Sequence, residues 1–532
     1  MKWFSTVLLV ALVLSVLVVV GCAQQPAPSP ATSPATSQTA VPTAGLTTAP
    51  AAKAQNLVIG MSISPRLLDP DDLASMSIPI YDMMYNKLVR WQDGKLVPDL
   101  AESWEVTNPT TWRFRLRKGV KFHNGEDFNA EAVKFTVEWD MKPENNRLSR
   151  LGGVQDVERV NVIDDYTVDL VTKAPAGTLA AFLTRVYMLP PKHYARVGAQ
   201  DFNNAPVGTG PFKYVSWKRD EFIRLEANPD YWEGRPKLDK IEIRVIPEPS
   251  SRGAALKAGE VHLIYQTFPE QIDELKKAGF TVTPVTVGQT YLYGFGRETQ
   301  RIKPLQDKRV RQAIQYAIDK DAIVTGITGG LARKSEDQLG SPSAFGHNPD
   351  VKAYPYDPEK AKQLLAEAGY AQGFTVPLKS TSGRAFKDRE TTQAIVSYLS
   401  KVGIKSEVEF LEPAVWAERF LNNKLDEGGI WTADLTVLPP MDVVISYNQF
   451  VCDMPRKFWC NAQYDDLFKK QNAELDPAKR LEFLKQMAVV LREESPIMFL
   501  YHVPFIYSYA SNVRDVVFYE NGSINLTKTT IQ

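Results

Sequence analysis

Histidine and cysteine are scarce in this chain, with five of the first and three of the second in 532 residues. The histidines, His123, His193, His262, His347 and His502, are scattered without a shared motif. No Gly-x-Ser-x-Gly elbow, His-Glu-x-x-His pair, phosphate-binding glycine loop or Cys-x-x-Cys accompanies them. These absences remove the usual constellations of nucleophilic, metal-assisted and phosphoryl-transfer chemistry, so no catalytic residue, metal site or cofactor is expected. Net charge is missing too, since 62 basic residues balance 62 acidic ones. Lys2 and Lys53 are the only charges in the first 55 residues, which leaves the rest slightly acidic. Neither nucleic acid nor an anionic membrane surface is therefore expected as the main partner. No internal repeat of solenoid period is visible. A secreted hydrolase stays as the enzymatic alternative, and turnover of a peptide or ester would reveal it.

Apolar content is plentiful, at 44%, enough for a large core divided into two or three domains. Its longest run, Val7 to Val20, is broken only by Ser15 and follows Lys2, the layout of an export signal. Its length also approaches that of a membrane span, so an uncleaved anchor helix is the alternative. Val19-Val20-Gly21-Cys22 resembles a bacterial lipobox, which implies a lipoprotein signal over residues 1–22 and acylation of Cys22. Residues 23–55, rich in Ala, Pro, Ser and Thr, cannot bury enough apolar surface to fold and read as a tether of about 30 Å. Cys452 and Cys460 lie close in sequence. In an exported protein such a pair suits a loop-closing disulfide better than a metal site, which wants four ligands.

The rest of the chain reads as strands alternating with helices. Trp112 to Arg117 alternates with a period of two, placing arginines on one face and apolar side chains on the other. Phe212, Tyr214 and Ser216 alternate with Lys213, Val215 and Trp217 ahead of a returning strand at Phe222 to Glu226, which predicts a hairpin. Helix signals include Asn129 to Trp139, a helix capped by Asp307 with Val310, Ala313, Ile314 and Ala317 at helical spacing, and Asp357-Pro358 as cap and first residue of another. Further helices are expected at 388–402, 413–422 and 478–492, with strands between them, giving an α/β body. His123, in the turn Phe122-His123-Asn124-Gly125, has no partner motif and is expected to be structural.

Pro206-Val207-Gly208-Thr209-Gly210-Pro211-Phe212, followed by Asn228-Pro229-Asp230-Tyr231-Trp232, resembles the signature of the family 5 extracellular solute-binding proteins. These are the receptors of peptide, nickel and related ABC importers. Tyr85 to Val89, Val97 to Trp104, Ala255 to Glu260 and Asp307 to Lys320 are similar to the same family, so the resemblance covers about Leu57 to Tyr509. His262 stands where the family has an acidic residue, and Gly296 where it has asparagine.

The resemblance implies an α/β fold of the type II periplasmic-binding-protein kind, two lobes joined by crossover strands. Lobe I would span 56–285 with a subdomain inserted at about 85–173, lobe II 290–500, and residues 501–532 would return to lobe I. It implies a monomeric receptor outside the cytoplasm, lipid-anchored to the cell membrane, that captures a peptide and passes it to ABC permease subunits. Nickel chelates, opines, haem and oligosaccharides are the alternative solutes, and ligand sensing the alternative role. Ile430-Trp431-Thr432-Ala433-Asp434 resembles the Gly-Trp-x-x-Asp stretch of peptide binders, so Asp434 is expected to meet a peptide ammonium and Trp431, Thr432 and Ala433 to run beside the ligand. Tyr291, Tyr293 and Trp416 are the expected aromatic contacts, with Arg384 or Arg389 for an anionic end. A local bridge between Cys452 and Cys460 also fits the family.

Overall fold

The computed structural model describes residues 54–70, 77–142, 156–297, 301–422, 424, 428–438, 440–454 and 458–532. The expected signal, Cys22 and nearly all of the tether lie outside them. Gln55, which composition assigned to the tether, is fixed to the body. Its backbone N–H donates to Asp239 (3.0 Å) and its side chain to the Ile531 carbonyl (3.1 Å).

Two long strands, Thr281–Gly294 and Ile497–Tyr509, organise the body. The second is buried along nearly its whole length, as its largely apolar sequence requires. They pair antiparallel and stand at the middle of an eleven-stranded sheet. On one side of them the order continues through Ile430–Thr436, Phe374–Thr381 and Ile404–Leu411. On the other come Leu263–Ile264, Asn56–Met61, Lys240–Val245 and the hairpin Phe222–Ala227 with Phe212–Lys218. Each wing is a lobe, and the two long strands cross between them. The first crossover strand starts at Thr281.

Local chemistry sets the helix ends. Asn129 caps Ala130–Asp140, accepting from the backbone of Glu131 (3.1 Å) and Ala132 (3.3 Å). Asp307 accepts from Arg309 N (2.8 Å) and Asp357 from Lys360 N (2.9 Å) at the next two expected starts. These bonds satisfy amides that a helix leaves open at its first turn. Helices Asp388–Lys401 and Pro413–Leu421 follow the two parallel strands of lobe II.

A separate four-stranded sheet carries Ala101–Asn108, Thr111–Leu116, Thr167–Thr172 and Val157–Asp164. Its core is its own, built around Phe114, Phe122, Phe128, Val133 and Leu170. The signature loop is the joint between this sheet and lobe I. A side chain at Gly208 or Gly210 would run into the Met84 backbone, at 2.0 and 2.4 Å, so glycine is required for close approach. His123 clamps the same loop, with Gly208 N donating to its Nδ1 (3.3 Å) and its Nε2 donating to the Gly210 carbonyl (3.0 Å). A nitrogen that accepts cannot carry a proton, and burial lowers the imidazole pKa to about 4. His262 is similarly internal, its Nδ1 accepting from Val58 N (2.9 Å).

The hairpin departs from simple alternation. A register shift between Tyr214 and Ser216 leaves Val215 half-exposed, because a bulge inserts a residue that no period of two foresees. Beyond the second crossover strand the tail packs beside the segment before Lys240–Val245, where Lys237 N donates to the Thr527 carbonyl (3.0 Å). A polar joint of about 90 Å³ lies between the tail and helix Ile78–Met84. There Asp82 takes Lys87 Nζ (2.6 Å) and Tyr187 Oη (2.9 Å), and Asp99 takes Lys87 N (3.0 Å) and Asn86 (3.2 Å). Cys452 and Cys460 are joined as a disulfide. Among the described residues no helix is long and apolar enough to cross a membrane, and no cluster of three or more His, Cys, Asp or Glu could hold a metal ion.

Candidate ligand cleft

The crossover strands lose register between Thr286 and Thr290. Gly288 sits in that break, its N–H donating to the Glu520 carbonyl (3.1 Å) and its own carbonyl accepting from Val437 N (2.7 Å). Such irregularities re-aim side chains, and Gln289, the next residue, lines a cavity of about 520 Å³. That volume falls within the range of small-ligand sites. One wall is the arm Gln266 to Glu270 from lobe I, the other the loop Ser382 to Glu390 from lobe II. Asp434 and Val503 to Ile506 complete it from the central strands.

One ion pair stands inside this cavity. Arg384 Nη1 lies 2.5 Å from Asp434 Oδ1, and the Gln289 amide donates to the other carboxylate oxygen. The guanidinium has its carbon over the Trp416 ring, 3.8 Å from the ring centroid, a cation–π contact. Its Nε and Nη2 are buried and make no hydrogen bond. Arginine offers five donors in a rigid fork, so one edge of this fork is left over.

Asp388 holds the loop that presents Arg384. Its buried carboxylate accepts from Thr381 Oγ1 (2.6 Å) and from the backbone of Gly383 (2.9 Å), Arg384 (3.0 Å) and Ala385 (3.1 Å). Lys387, just before it, adopts a left-handed backbone with φ 54°, a conformation that costs a residue with a side chain and tends to mark functional loops. Its ammonium reaches across the cavity to Glu270, joining the two lobes at the rim. Burial pushes the Glu270 carboxyl up, but the Lys387 bond outweighs it and holds the pKa below the usual value. The same bond raises that of Lys387.

Of the residues expected from the sequence, Asp434, Arg384 and Arg389 line the cavity. Arg389 also stacks on Phe410, 4.6 Å from the ring centroid. Trp416 lies behind Arg384 and donates its indole N–H to the Thr432 carbonyl (2.9 Å). Tyr291, Tyr293, Trp431, Thr432 and Ala433 are fully buried in the sheet and its core and do not line the cavity. Tyr291 pairs with Asp434 across the strands, and Tyr293 with Thr432. Gly296, in place of the family's asparagine, has a left-handed φ of 74° and packs against Arg301.

Sequence reading missed Gln289, Phe268, Glu270, Lys387 and Asp388 as parts of this site. Only Asp388 carried a local signal, as an acidic residue opening a helix. The others stand in loops or beside a bulge, where no periodicity speaks.

The family model for "Bacterial extracellular solute-binding proteins, family 5 Middle" matches residues 95–442. The chain is 29% identical over 478 residues to the glutathione-binding protein GsiB of Pectobacterium atrosepticum, covering 86% of this chain and 90% of that one. It is 30% identical over 497 residues to the dipeptide-binding protein of Escherichia coli, covering 86% and 91%. Among solved structures, NikA from Brucella suis in complex with Fe(III)-EDTA superposes with a TM-score of 0.78 at 24% identity, covering 90% of this chain and all of that one.

Proposed function

Because the chain belongs to the bacterial extracellular solute-binding proteins of family 5, we propose that it is the receptor of an ABC importer. In this reading it captures a short peptide between its lobes and delivers it to the permease, without catalysing a reaction. Similarity to the dipeptide- and glutathione-binding proteins supports the peptide class. The observation that carries it is the Arg384–Asp434 pair inside the interlobe cavity. A peptide with free ends brings an ammonium and a carboxylate, and so can replace both halves of that pair at once. The ammonium takes Asp434, and the carboxylate takes Asp434's place on Arg384 Nη1 and reaches the unbonded Nη2 beside it, in the bidentate geometry that guanidinium favours. Closing the lobes on such a ligand shifts the population towards the closed state by the ligand's preference for it.

A ligand with only one charged end breaks the pair and compensates only half of it. Losing one partner of a buried ion pair costs about 3 to 5 kcal/mol. Arg384 and Asp434 keep side-chain exposures of 16% and 18%, so about 2 kcal/mol, or about 30-fold in affinity, is the expected penalty. Calorimetry with a di- or tripeptide, its N-acetylated form and its C-terminal amide tests this. Each blocked form should bind about 30-fold more weakly than the free peptide; equal affinity of all three would overturn the assignment. Acylation of Cys22 would hold the receptor at the outer face of the cell membrane, as the lipobox-like sequence supports.

A further inference from the structure

We infer that Phe268 receives an apolar side chain of the bound peptide and so makes the receptor selective for peptides carrying one, an inference that rests on the peptide reading above. Phe268 is 44% exposed and lines the cavity together with Pro269, Phe386, Val503, Pro504 and Phe505. A large apolar side chain exposed inside a ligand cavity is informative in a way that one on an open surface is not.

The ring is also held in place. Gln266, two residues before it, adopts a left-handed backbone with φ 59°. Thr267 is tied to the second crossover strand through its N–H to the Ile506 carbonyl (2.6 Å) and its hydroxyl to Ser508 (2.7 Å). The Arg252 guanidinium lies 6.0 Å from the ring centroid and is itself anchored by Nη1 to the carbonyls of Ile246 and Pro247, both at 2.7 Å. On the far side, Glu270 bonds Lys387 of the other lobe. An aromatic ring fixed at both flanks and left uncovered is organised for contact and loses little entropy on meeting it.

The chemistry is thereby divided between the lobes. Lobe II and the central strands supply the charges that meet the peptide ends, and the lobe I arm adds Phe268 and Pro269 to an apolar face shared with Phe386 and Val503 to Phe505. A peptide with small side chains satisfies the charges and leaves the ring bare. One with leucine or phenylalanine satisfies both.

The test is calorimetry on the purified full chain with Ala-Ala, Ala-Leu, Leu-Ala, Ala-Phe, Phe-Ala and Ala-Glu, for wild type, Phe268→Ala and Phe268→Leu. Wild type should bind the better leucine- or phenylalanine-bearing peptide about 10-fold or more tightly than Ala-Ala, the discrimination an apolar pocket gives. Phe268→Ala should shrink that ratio to about threefold or less, and Phe268→Leu should keep most of it. Loss of affinity by the same factor for every peptide, or no change in the ratio, would overturn the role of Phe268 while leaving the peptide reading intact. Failure of wild type to bind any of them would overturn both.

Discussion

Acidification should destabilise the fold through His502. This histidine lies in the second crossover strand, paired across to Thr290, whose hydroxyl is 3.0 Å from its Nδ1. It is 1% exposed, and burial, reinforced by His347 and Arg333, pulls its pKa down to about 3. An unfolded histidine titrates near ~6.5. A group with a depressed folded pKa contributes its stability above the unfolded value and loses it as the pH falls towards the folded one. At pH 5 the gap is about 1.5 pH units, or about 2 kcal/mol at 1.36 kcal/mol per unit. His123 adds a loss of the same sign. Asp99 opposes both, because burial raises its pKa to about 6, and its contribution is present at low pH and lost as the pH rises through that value. Since His123 and Asp99 are common to wild type and a His502 variant, their effects cancel in the comparison. Urea unfolding of wild type, His502→Gln and His502→Leu at pH 8 and pH 5 should show wild type losing about 2 kcal/mol more than either variant between the two pH values. Equal losses would refute the claim that His502 is held neutral by its surroundings.

Gly210→Ala should cost about 2 kcal/mol or more, because its new methyl would meet the Met84 and Tyr85 backbone at 2.4 to 2.6 Å. Gly326→Ala, with nothing within 4 Å, should leave the melting temperature where it is, and equal effects of the two would contradict the close-approach reading. Mass analysis of the membrane-bound protein should find diacylglyceryl-modified Cys22 at the N-terminus, and an intact Met1 would sink the anchor.

Much of the fold was legible because its signals are local. Asp307 and Asp357 each announce a helix by a side chain that can satisfy open amides, and each does so in the structure. Tyr291 and Tyr293 show where periodicity stops being informative. On a central strand both faces are covered, so an aromatic residue beside the cleft in sequence can point entirely into packing. The pairing of Arg384 with Asp434 was not readable either, although both residues were. It depends on Asp388 shaping a loop and on two strands whose pairing ends at Lys379 and Trp431, and no periodic pattern encodes that meeting. Phe268 and Glu270 were invisible for the same reason. They reach the site only because the lobe I arm is laid against the second crossover strand.

The central claim is that a short peptide with free ends is what the cleft holds. Native mass spectrometry of the protein purified without denaturation tests it most directly, by weighing and sequencing whatever dissociates from it. The account predicts short peptides with free amino and carboxyl ends, released when Asp434→Ala or Arg384→Ala is introduced. A haem, a metal chelate, an opine or a sugar in their place would contradict it.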